Sequence, residues 1–573
     1  MTNEETLREA PAPTPLQCGL NDAAHPNVGE GSICPEDRLR VENIQGNILG
    51  GFNKDFQTLL FYRIEKVAEF KQWLSGFVPF IATSAEVIAF NRLFKSVRSR
   101  RGRETNTVKA TWINIAFSQP GVKKLTPDSV FNDEAFMSGL ASQSNALGDP
   151  QTGEGSPSKW KIGGPGKETE VVLIVASDDK EDMEDTVKEI KKNIKGVKKL
   201  FEEEGRNLPG DLHGHEHFGF LDGVSQPGIR GFISDDPRDV LTPRQNPESR
   251  QQGKPGQELI WPGEFVFGYH GQSEDGDDIT KPSDELIKEK PAWSDDGSFL
   301  VFRRLRQDVP LFHKFLNKVG KEFKIDPNLV GAKLVGRWAS GAPVLRTPDA
   351  DNPDMAADDC ANNDFEFNEE EEGPDPCATD DPPSVMDCED NFPGAPKVDP
   401  EGQLCPFSAH IRKTYPRNDL TPAGPDDPDE SEVDTQNHRL LRRGIPFGEV
   451  SKSTPKNPKD DGVDRGLHFL AYQTSIVNQF EFVTRAWVNN PDFSTEAATG
   501  HENGCGELPV GHDPIIGQNN TPGENRERKF FVRFGAGGAQ CRKIVTRNDW
   551  VIPTGGDYFF APSISALRDV LSK

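Results

Sequence analysis

The segment HGHEHFGFLDGVSQP, residues 213–227, holds the densest group of side chains in this sequence that could do chemistry. His213, His215 and His217 alternate, so on a β-strand they would share one face, as metal ligands sometimes do. Asp222 stands between two glycines, which lack Cβ and let the backbone turn sharply against a flat ligand. Three interpretations stay open: a metal site, histidines that only hydrogen-bond to their neighbours, and an acid presented into a pocket.

Two later segments combine histidine with arginine. CPFSAHIRKTYPR, residues 405–417, places His410 after a small residue and before a basic cluster. NHRLLRRGIPFG carries Arg439, Arg442 and Arg443 ahead of a Gly-Ile-Pro turn. A lone histidine near arginines is usually an ordinary surface or core residue, and charge clusters are usually solvated. Taken separately, neither segment identifies an activity.

The elements that must position these groups can be predicted from hydrophobic periodicity. Apolar runs predict strands at 59–64, 112–117 and 171–175. Apolar residues at helical spacing predict a helix at 67–77 and a second, strongly amphipathic helix from Met183 to Phe201. With a last strand near the Asp222 segment, this order fits a ferredoxin-like βαββαβ unit.

The chain of 573 residues is long enough for two or three domains. We predict a flexible tail at 1–39, a ferredoxin-like domain at 40–225 and a second domain at 226–573. Residues 349–400 are so rich in Asp, Glu, Pro and Asn that they are predicted to form a solvated, disordered insertion. No spacing in this insertion matches a twelve-residue calcium loop.

Composition narrows the class of partners. A formal charge of −26 disfavours nucleic acid and anionic membrane surfaces, because both require a basic face. No apolar run is long enough to span a bilayer. The polar, acidic N-terminus lacks a secretory pattern, which predicts a cytoplasmic protein, with secretion as the alternative if a leader is missing. The eight cysteines form no C-x-x-C pair and fit either location.

Considered together, the motifs resemble those of the dye-decolorising peroxidases, specifically the fungal-type members with longer loops. The matching segments are FGFLDGVSQP, GSFLVFRRLRQD, LVGRWASGAPV, CPFSAHIRKTYPR, HRLLRRGIPFG, RGLHFLAYQTSI and the closing APSIS. They occur in family order from about residue 43 to the C-terminus. The tail and the acidic insertion fall outside the resemblance.

The resemblance implies an α+β fold of two ferredoxin-like domains with antiparallel sheets, and one haem b per chain in the C-terminal domain. It makes His410 the proximal ligand of the haem iron. It makes Asp222 the acid–base of the distal side and Arg442, rather than its neighbours, the distal arginine. Leu467 and Phe469 match apolar residues of the distal pocket. The alternating histidines then need not bind metal.

Asp513, in GHDPIIGQ, is our candidate for the carboxylate that accepts from the other ring nitrogen of His410. A turn residue before Pro514 is the alternative reading of Asp513. Two rival functions remain: a haem protein for storage or transfer, which would not need Asp222 and Arg442 together, and a non-haem metalloenzyme. The sequence says nothing about oligomeric state.

The implied substrates are hydrogen peroxide and dyes, phenols or other small aromatic reductants. Activity should favour acidic pH, because an aspartate base stays ionised where a histidine base would not. Fungal-type relatives often have tyrosine where this chain has Phe447, and that tyrosine is implicated in carrying oxidising equivalents to the surface. Trp487 or Tyr415 could replace it, although each fits ordinary packing. We therefore expect small substrates rather than bulky dyes.

Overall fold

The computed structural model describes residues 39–101, 108–230, 255–274, 281–287, 290–368, 391–494, 511–534 and 540–573. The predicted tail at 1–39 therefore lies, apart from its last residue, outside the described residues. Within the described residues no helix is long and apolar enough to cross a membrane.

The strands are β1 (Phe56–Ile64), β2 (Thr111–Phe117), β3 (Val171–Ser177), β4 (Val197–Arg206), β5 (Gly228–Ile229), β6 (Leu259–Ile260), β7 (Ser298–Gln307), β8 (Leu441–Arg442), β9 (Ile445–Phe447), β10 (Gly466–Gln473), β11 (Arg528–Phe534), β12 (Gln540–Thr546) and β13 (Val551–Ala561). The α-helices are α1 (Val67–Phe77), α2 (Ser84–Arg101), α3 (Gln119–Leu125), α4 (Glu134–Ser138), α5 (Leu140–Gln143), α6 (Lys180–Asn193), α7 (Val309–Phe323), α8 (Pro327–Val335), α9 (Pro353–Ala357), α10 (His410–Thr414), α11 (Pro428–Gln436) and α12 (Ile564–Ala566). Stretches of π-helix cover Ile476–Glu481, Val483–Val488 and Leu567–Leu571.

The first half of the chain forms a ferredoxin-like sheet. Its strands lie in the order β4-β1-β3-β2, all antiparallel, with α1 and α2 joining β1 to β2 and α6 joining β3 to β4. Strand β3 is an uninterrupted run of buried residues, because helices cover one face of the sheet and further core covers the other. The βαββαβ order is the one predicted, but its last strand is β4 (Val197–Arg206) and not a strand near Asp222, whose segment forms turns.

The second half repeats this arrangement. Strand β7 lies between β13 and β10, and β10 pairs in turn with β8 and β9. Helices α7 and α8 follow β7, and the π-helical segment at 476–488 follows β10. The prediction of two ferredoxin-like units with antiparallel sheets is confirmed at the level of topology.

The two sheets join edge to edge into one closed nine-stranded sheet. Strand β13 meets β2 at Phe560 and Phe117, and β4 meets β9 at Gly205 and Phe447. Closure removes the unpaired edges that would otherwise invite aggregation. The side chains that point inward from both halves form one apolar cluster that includes Leu59, Phe61, Leu300, Phe302 and Leu470.

The helix predicted from Met183 to Phe201 is shorter than expected. Helix α6 ends at Asn193, and Gly196 adopts a left-handed φ of +71°, which turns the chain. Val197 and Phe201 belong to strand β4, so their spacing matched the helical period by coincidence.

We predicted a solvated insertion at 349–400; of its described parts, 349–368 and 391–400, the segment 361–368 is largely buried, while 391–398 is mostly exposed. Phe365 is 3% and Phe367 is 0% exposed. The guanidinium groups of Arg417 and Arg412 lie over these two rings at 4.0 and 4.3 Å. The acidic composition hid these aromatic anchors, which attach the segment to the core.

Gln45 reinforces the seam at which β13 meets β2. Its amide is fully buried and donates to the carbonyl oxygens of Ile115 (2.9 Å) and Pro562 (2.7 Å). Its oxygen accepts from the backbone N–H of Ile115 at 2.9 Å. One side chain therefore satisfies three buried backbone groups from two distant parts of the chain.

Gln45→Leu should lower the free energy of unfolding by about 2–3 kcal/mol, because it leaves these backbone groups buried and unpaired. Chemical denaturation monitored by circular dichroism measures the change. Gln72→Leu, on the exposed face of α1, is the matched control and should change stability little. Equal stability of the two variants would contradict the role given to Gln45.

Candidate active site

A cavity of about 310 Å³ lies against the outer face of the second sheet. Side chains alternate along a strand, so β7 serves two compartments. Leu300 and Phe302 point into the barrel, whereas Arg303, Leu305 and Gln307 line the cavity. On β10, Leu467 and Phe469 also line the cavity while Leu470 and Tyr472 face the barrel.

His410 is the first residue of α10 and lines the cavity. Its Nδ1 atom lies 2.7 Å from Oδ2 of Asp513. The other oxygen of Asp513 accepts from the backbone N–H groups of Ile515 (2.6 Å) and Ile516 (3.0 Å). Arg528, fully buried, donates to the carbonyl oxygens of the same turn. Asp513 is therefore held in one orientation and in turn orients the imidazole.

The electrostatics of this pair favour an ionised Asp513 and a protonated His410, although burial opposes both charges. Burial raises the pKa of Asp513, but His410 and the backbone donors outweigh it and hold that pKa below its ordinary value. Burial lowers the pKa of His410, but Asp513 outweighs it and raises that pKa. A carboxylate that draws the Nδ1 proton makes Nε2 a stronger electron donor.

Asp222 and Arg442 line the same cavity. Oδ1 of Asp222 accepts from Nη1 of Arg442 at 2.8 Å. The other guanidinium nitrogen of Arg442 donates to the carbonyl oxygen of Ser225 at 2.9 Å. Gly219 and Gly223 have φ of +100° and +78°, which side-chain-bearing residues rarely adopt, so these glycines permit the turn that presents Asp222.

Asp222 is held in its ionised form. Burial raises its pKa, but Arg442 outweighs burial through charge and hydrogen bonding, and the pKa of Asp222 is lowered. His410 also lowers it, and Asp222 in turn raises the pKa of His410. The two groups thus interact electrostatically through one cavity.

The three arginines of the HRLLRRGIPFG segment have different partners. Arg442 pairs with Asp222. Arg439 pairs with Glu258 and lies over the ring of Tyr415. Arg443 donates to backbone carbonyl oxygens near the start of the fold. Only Arg442 of the three contacts Asp222 among the contacts that the structure describes.

The alternating histidines contact separate partners. Nε2 of His213 lies 3.0 Å from Asp55, and Nδ1 of His215 lies 3.2 Å from the carbonyl oxygen of His213. His217 is buried and its Nε2 lies 2.8 Å from the carbonyl oxygen of Phe447. Across the described residues, no group of three or more His, Cys, Asp or Glu could hold a metal ion.

Phe447 occupies a buried position between two charged or polar groups. Its ring stacks on the imidazole of His468 at 4.8 Å, and the guanidinium of Arg304 lies 4.0 Å from its centroid. Glu203 contacts both His468 and Arg304. The phenylalanine at this position is therefore part of a packed ionic cluster.

The residues around the cavity fit a haem. Its walls are mainly aliphatic and aromatic, which suits a flat macrocycle, and Nδ1 of His410 is engaged by Asp513, which leaves Nε2 for iron. Arg337 is buried at the cavity and donates to oxygens of Gly341, Asn362 and Asn363. Burial lowers the pKa of Arg337 to about 9, and no carboxylate pairs with it among the described residues. An anionic group of a cofactor would supply that missing charge.

Glu216, Gln307 and Arg337 are among the polar residues of the cavity that were not predicted. Glu216 belongs to the same segment as Asp222, but nothing in its spacing marks it as a residue of the cavity. Gln307 and Arg337 lie in segments that resemble the family, but nothing in their residue type or spacing indicates that they line the cavity.

Family models match both halves of the chain. The model described as "DyP dimeric alpha+beta barrel domain" matches residues 43–208, and "Dyp-type peroxidase, C-terminal" matches residues 428–502.

Curated relatives match over almost the whole length. A dye-decolorizing peroxidase from Mycena epipterygia is 32% identical over 547 residues, covering 93% of this chain and 88% of the relative. Peroxidase 2 from Mycetinis scorodonius is 33% identical over 542 residues, with the same coverage.

Solved structures agree with this assignment. An ancestral D-type dye decolorizing peroxidase superimposes with a TM-score of 0.69 at 33% identity and covers 94% of this chain and 100% of that one. A mutant of the dye-decolorizing peroxidase from Pleurotus ostreatus gives a TM-score of 0.71 at 32% identity, covering 93% and 99%. The chain therefore belongs to the dye-decolorising peroxidase family and is a fungal-type member of it.

Proposed function

We propose that this protein is a haem peroxidase that reduces hydrogen peroxide and oxidises dyes, phenols and other small aromatic donors. The observation that carries the proposal is the pairing of functional groups in one cavity. His410 with Asp513 supplies an oriented imidazole, and Asp222 with Arg442 supplies an ionised acid–base beside a fixed cation.

The cofactor we propose is haem b, one per chain, with Nε2 of His410 as the proximal iron ligand. Haem, when bound, supplies an open iron coordination position and the electrons that split the O–O bond. Asp513 holds the Nδ1 proton of His410 and so fixes the tautomer in which Nε2 carries the lone pair. Leu467 and Phe469 line the cavity and would exclude water from its apolar part.

The acid–base work falls to Asp222. The carboxylate accepts a proton from one peroxide oxygen and returns it to the other, so that water can leave. The guanidinium of Arg442 places a fixed positive charge beside Asp222. It therefore stabilises the negative charge that develops as the O–O bond breaks, and it also holds Asp222 in its basic form.

A haem protein for storage or transfer is the alternative that the geometry disfavours. Such a protein would need His410 but not a charged pair at the cavity. The side chains of Asp222 and Arg442 are about one-third exposed at 34% and 33%, in a cavity whose surface is mainly apolar. Placing charge there without a role in chemistry would only cost desolvation free energy.

We propose small aromatic molecules as the main reductants. Phe447 lacks the hydroxyl that would give up a proton with an electron, and its ring is packed between Arg304 and His468. Trp487 is buried, stacks on Phe493 and contacts His438 and Phe482 edge-on, whereas Tyr415 is held by Glu258 and Arg439. Both aromatic residues have complete packing environments, which supports the expectation that donors react at the cavity.

We further propose that the protein works in an oxidising compartment, which favours the secreted alternative over the cytoplasmic one. Cys360 and Cys541 are each disulfide-bonded, whereas Cys405 is a buried free thiol. Structural disulfides persist outside the cytosol and are rare within it.

Alkylation of the unfolded protein without reductant should leave Cys360 and Cys541 unmodified and should label Cys405. Intact mass and peptide mapping measure the labelled positions. A parallel sample reduced before alkylation is the control and should show all eight cysteines labelled. Labelling of all eight in the unreduced sample would contradict the proposed compartment.

Asp222→Asn should slow the reaction of the haem-loaded enzyme with hydrogen peroxide by about 10²–10⁴-fold, since the base is lost while the shape is kept. Stopped-flow absorption spectra measure the rate. Because the pKa of Asp222 is lowered, the wild-type reaction should persist in acid below the pH at which an ordinary aspartate takes up its proton. Asp211→Asn, at an exposed position, is the matched control. A fast reaction in Asp222→Asn would exclude the proposed role.

Asp513→Asn should raise the reduction potential of the bound haem iron and weaken haem retention or activity by about 10–100-fold. The reason is that an amide oxygen draws the Nδ1 proton of His410 less strongly than a carboxylate does. Spectroelectrochemical titration measures the potential, again with Asp211→Asn as control. An unchanged potential in a folded, haem-loaded variant would show that Asp513 does not act through His410.

A further inference from the structure

Glu216 is a half-buried carboxyl group of the cavity that the proposed chemistry does not use. Its Oε2 accepts from the backbone N–H of Phe218 at 2.8 Å, and its Oε1 accepts from that of Phe220 at 2.9 Å. Its own backbone N–H donates to the carbonyl oxygen of Phe220, and its carbonyl oxygen accepts from Gly219, both at 3.0 Å. Side chain and main chain of one residue therefore close the turn at 216–220.

This turn leads directly into Asp222. The backbone N–H of Leu221 donates to Ala339 at 3.1 Å, and that of Asp222 donates to Gly214 at 2.9 Å. An added Cβ on Gly219 or Gly223 would meet nothing within 4 Å, so packing does not confine the chain at either glycine. The turn is restrained instead by Phe218, which is buried and packs on Phe312 at 4.5 Å, and by the two hydrogen bonds that Glu216 accepts on either side of Gly219.

Gln307, the last residue of β7, completes the arrangement. Its Nε2 donates to Oε2 of Glu216. Its Oε1 is buried and accepts no hydrogen bond among the described residues. A strand of the second sheet therefore holds the turn that carries Asp222, and one buried acceptor remains available beside Glu216.

We propose that Glu216 and Gln307 form a positioning pair that holds the Asp222 turn in place whether Glu216 is ionised or protonated. This inference rests on the proposed function of Asp222. When Glu216 is ionised, it accepts from both backbone N–H groups and from Nε2 of Gln307. When it is protonated, a 180° rotation of the Gln307 amide brings Oε1 to accept the new O–H, which satisfies the acceptor that is otherwise unpaired.

The charged groups near Glu216 explain why its carboxyl group can be either ionised or protonated. Of the neighbouring groups, Asp222 is anionic and is engaged by Arg442, and Arg303 of β7 is engaged by Asp149. His313 of α7 lies 3.3 Å from the carbonyl oxygen of Phe218, and burial lowers its pKa, which disfavours its charged form.

With no cation beside Glu216 in the described part of the chain, burial raises its pKa to about 7 against the opposing hydrogen bonds. Glu216 is therefore protonated under the acidic conditions in which Asp222 is expected to work. At acidic pH, the hydrogen bonds between Glu216 and Gln307 therefore hold the turn at 216–220 in place.

The test compares the wild type with Glu216→Gln and Gln307→Leu at about pH 8 and about pH 5, either side of the Glu216 titration. Two quantities are measured at each pH: the rate of the peroxide reaction, and hydrogen–deuterium exchange of the Phe218 and Phe220 amides. Glu65→Gln and Gln72→Leu, both at exposed positions, are the matched controls.

Glu216→Gln should slow the peroxide reaction about ten-fold at both pH values, because one oxygen that accepts from the turn is replaced by a donor. Its turn amides should exchange faster than those of the wild type at both. Gln307→Leu should be impaired about ten-fold more at pH 5 than at pH 8, because the protonated carboxyl then has no acceptor. A change of the same size at both pH values would overturn the role of Gln307.

Amide exchange like that of the wild type in Glu216→Gln would overturn the pair as a whole. If Glu216→Gln does not fold, the pH dependence of Gln307→Leu decides. If the wild type itself fails to react with peroxide, the proposed function fails, and the exchange measurements still test the positioning.

Discussion

The partial removal of ionised groups from water, next to a mainly apolar cavity, is the constraint on which the rest of this site depends. A charge removed from water is tolerated only with a partner of opposite sign and with its remaining hydrogen bonds satisfied. His410 with Asp513 and Asp222 with Arg442 meet that condition on the described contacts. Each pair joins segments that are distant in the chain, so the site exists only in the folded protein.

The surrounding structure serves mainly to orient these pairs. Asp513 is fixed by backbone N–H groups and by a turn whose carbonyl oxygens are gathered on Arg528. Asp222 is fixed by a turn that Glu216 closes. In both cases a residue that takes no part in the proposed chemistry satisfies the backbone groups of the turn. In this way a loop can hold a functional side chain in one orientation, as a helix or a strand would.

The sequence predicted the parts of this protein that follow local rules. The apolar runs at 112–117 and 171–175 became strands, because each is buried on both faces. The resemblance singled out Asp222, Arg442 and His410, which the fold brings to one cavity, and the sequence offered Asp513, which contacts His410.

Other features depend on tertiary context and could not be read locally. Helix α6 ends where Gly196 turns the chain, although the apolar spacing continues. Phe365 and Phe367 are buried within a stretch whose composition indicates solvation. Arg337 and Gln307 gain their importance only from the cavity that they line.

Along β7 and β10, alternate residues face two different environments, the cavity and the barrel interior, so neighbouring positions of one strand are constrained for different reasons. Odd-numbered positions such as 303, 305, 307, 467 and 469 face the cavity, while Leu300, Phe302 and Leu470 contribute to the barrel interior. Sequence change at the first set alters what the cavity accepts, and change at the second alters how firmly the barrel closes. A lineage with this architecture can therefore diversify its chemistry while its framework stays under a separate constraint, with adjacent codons evolving under different pressures.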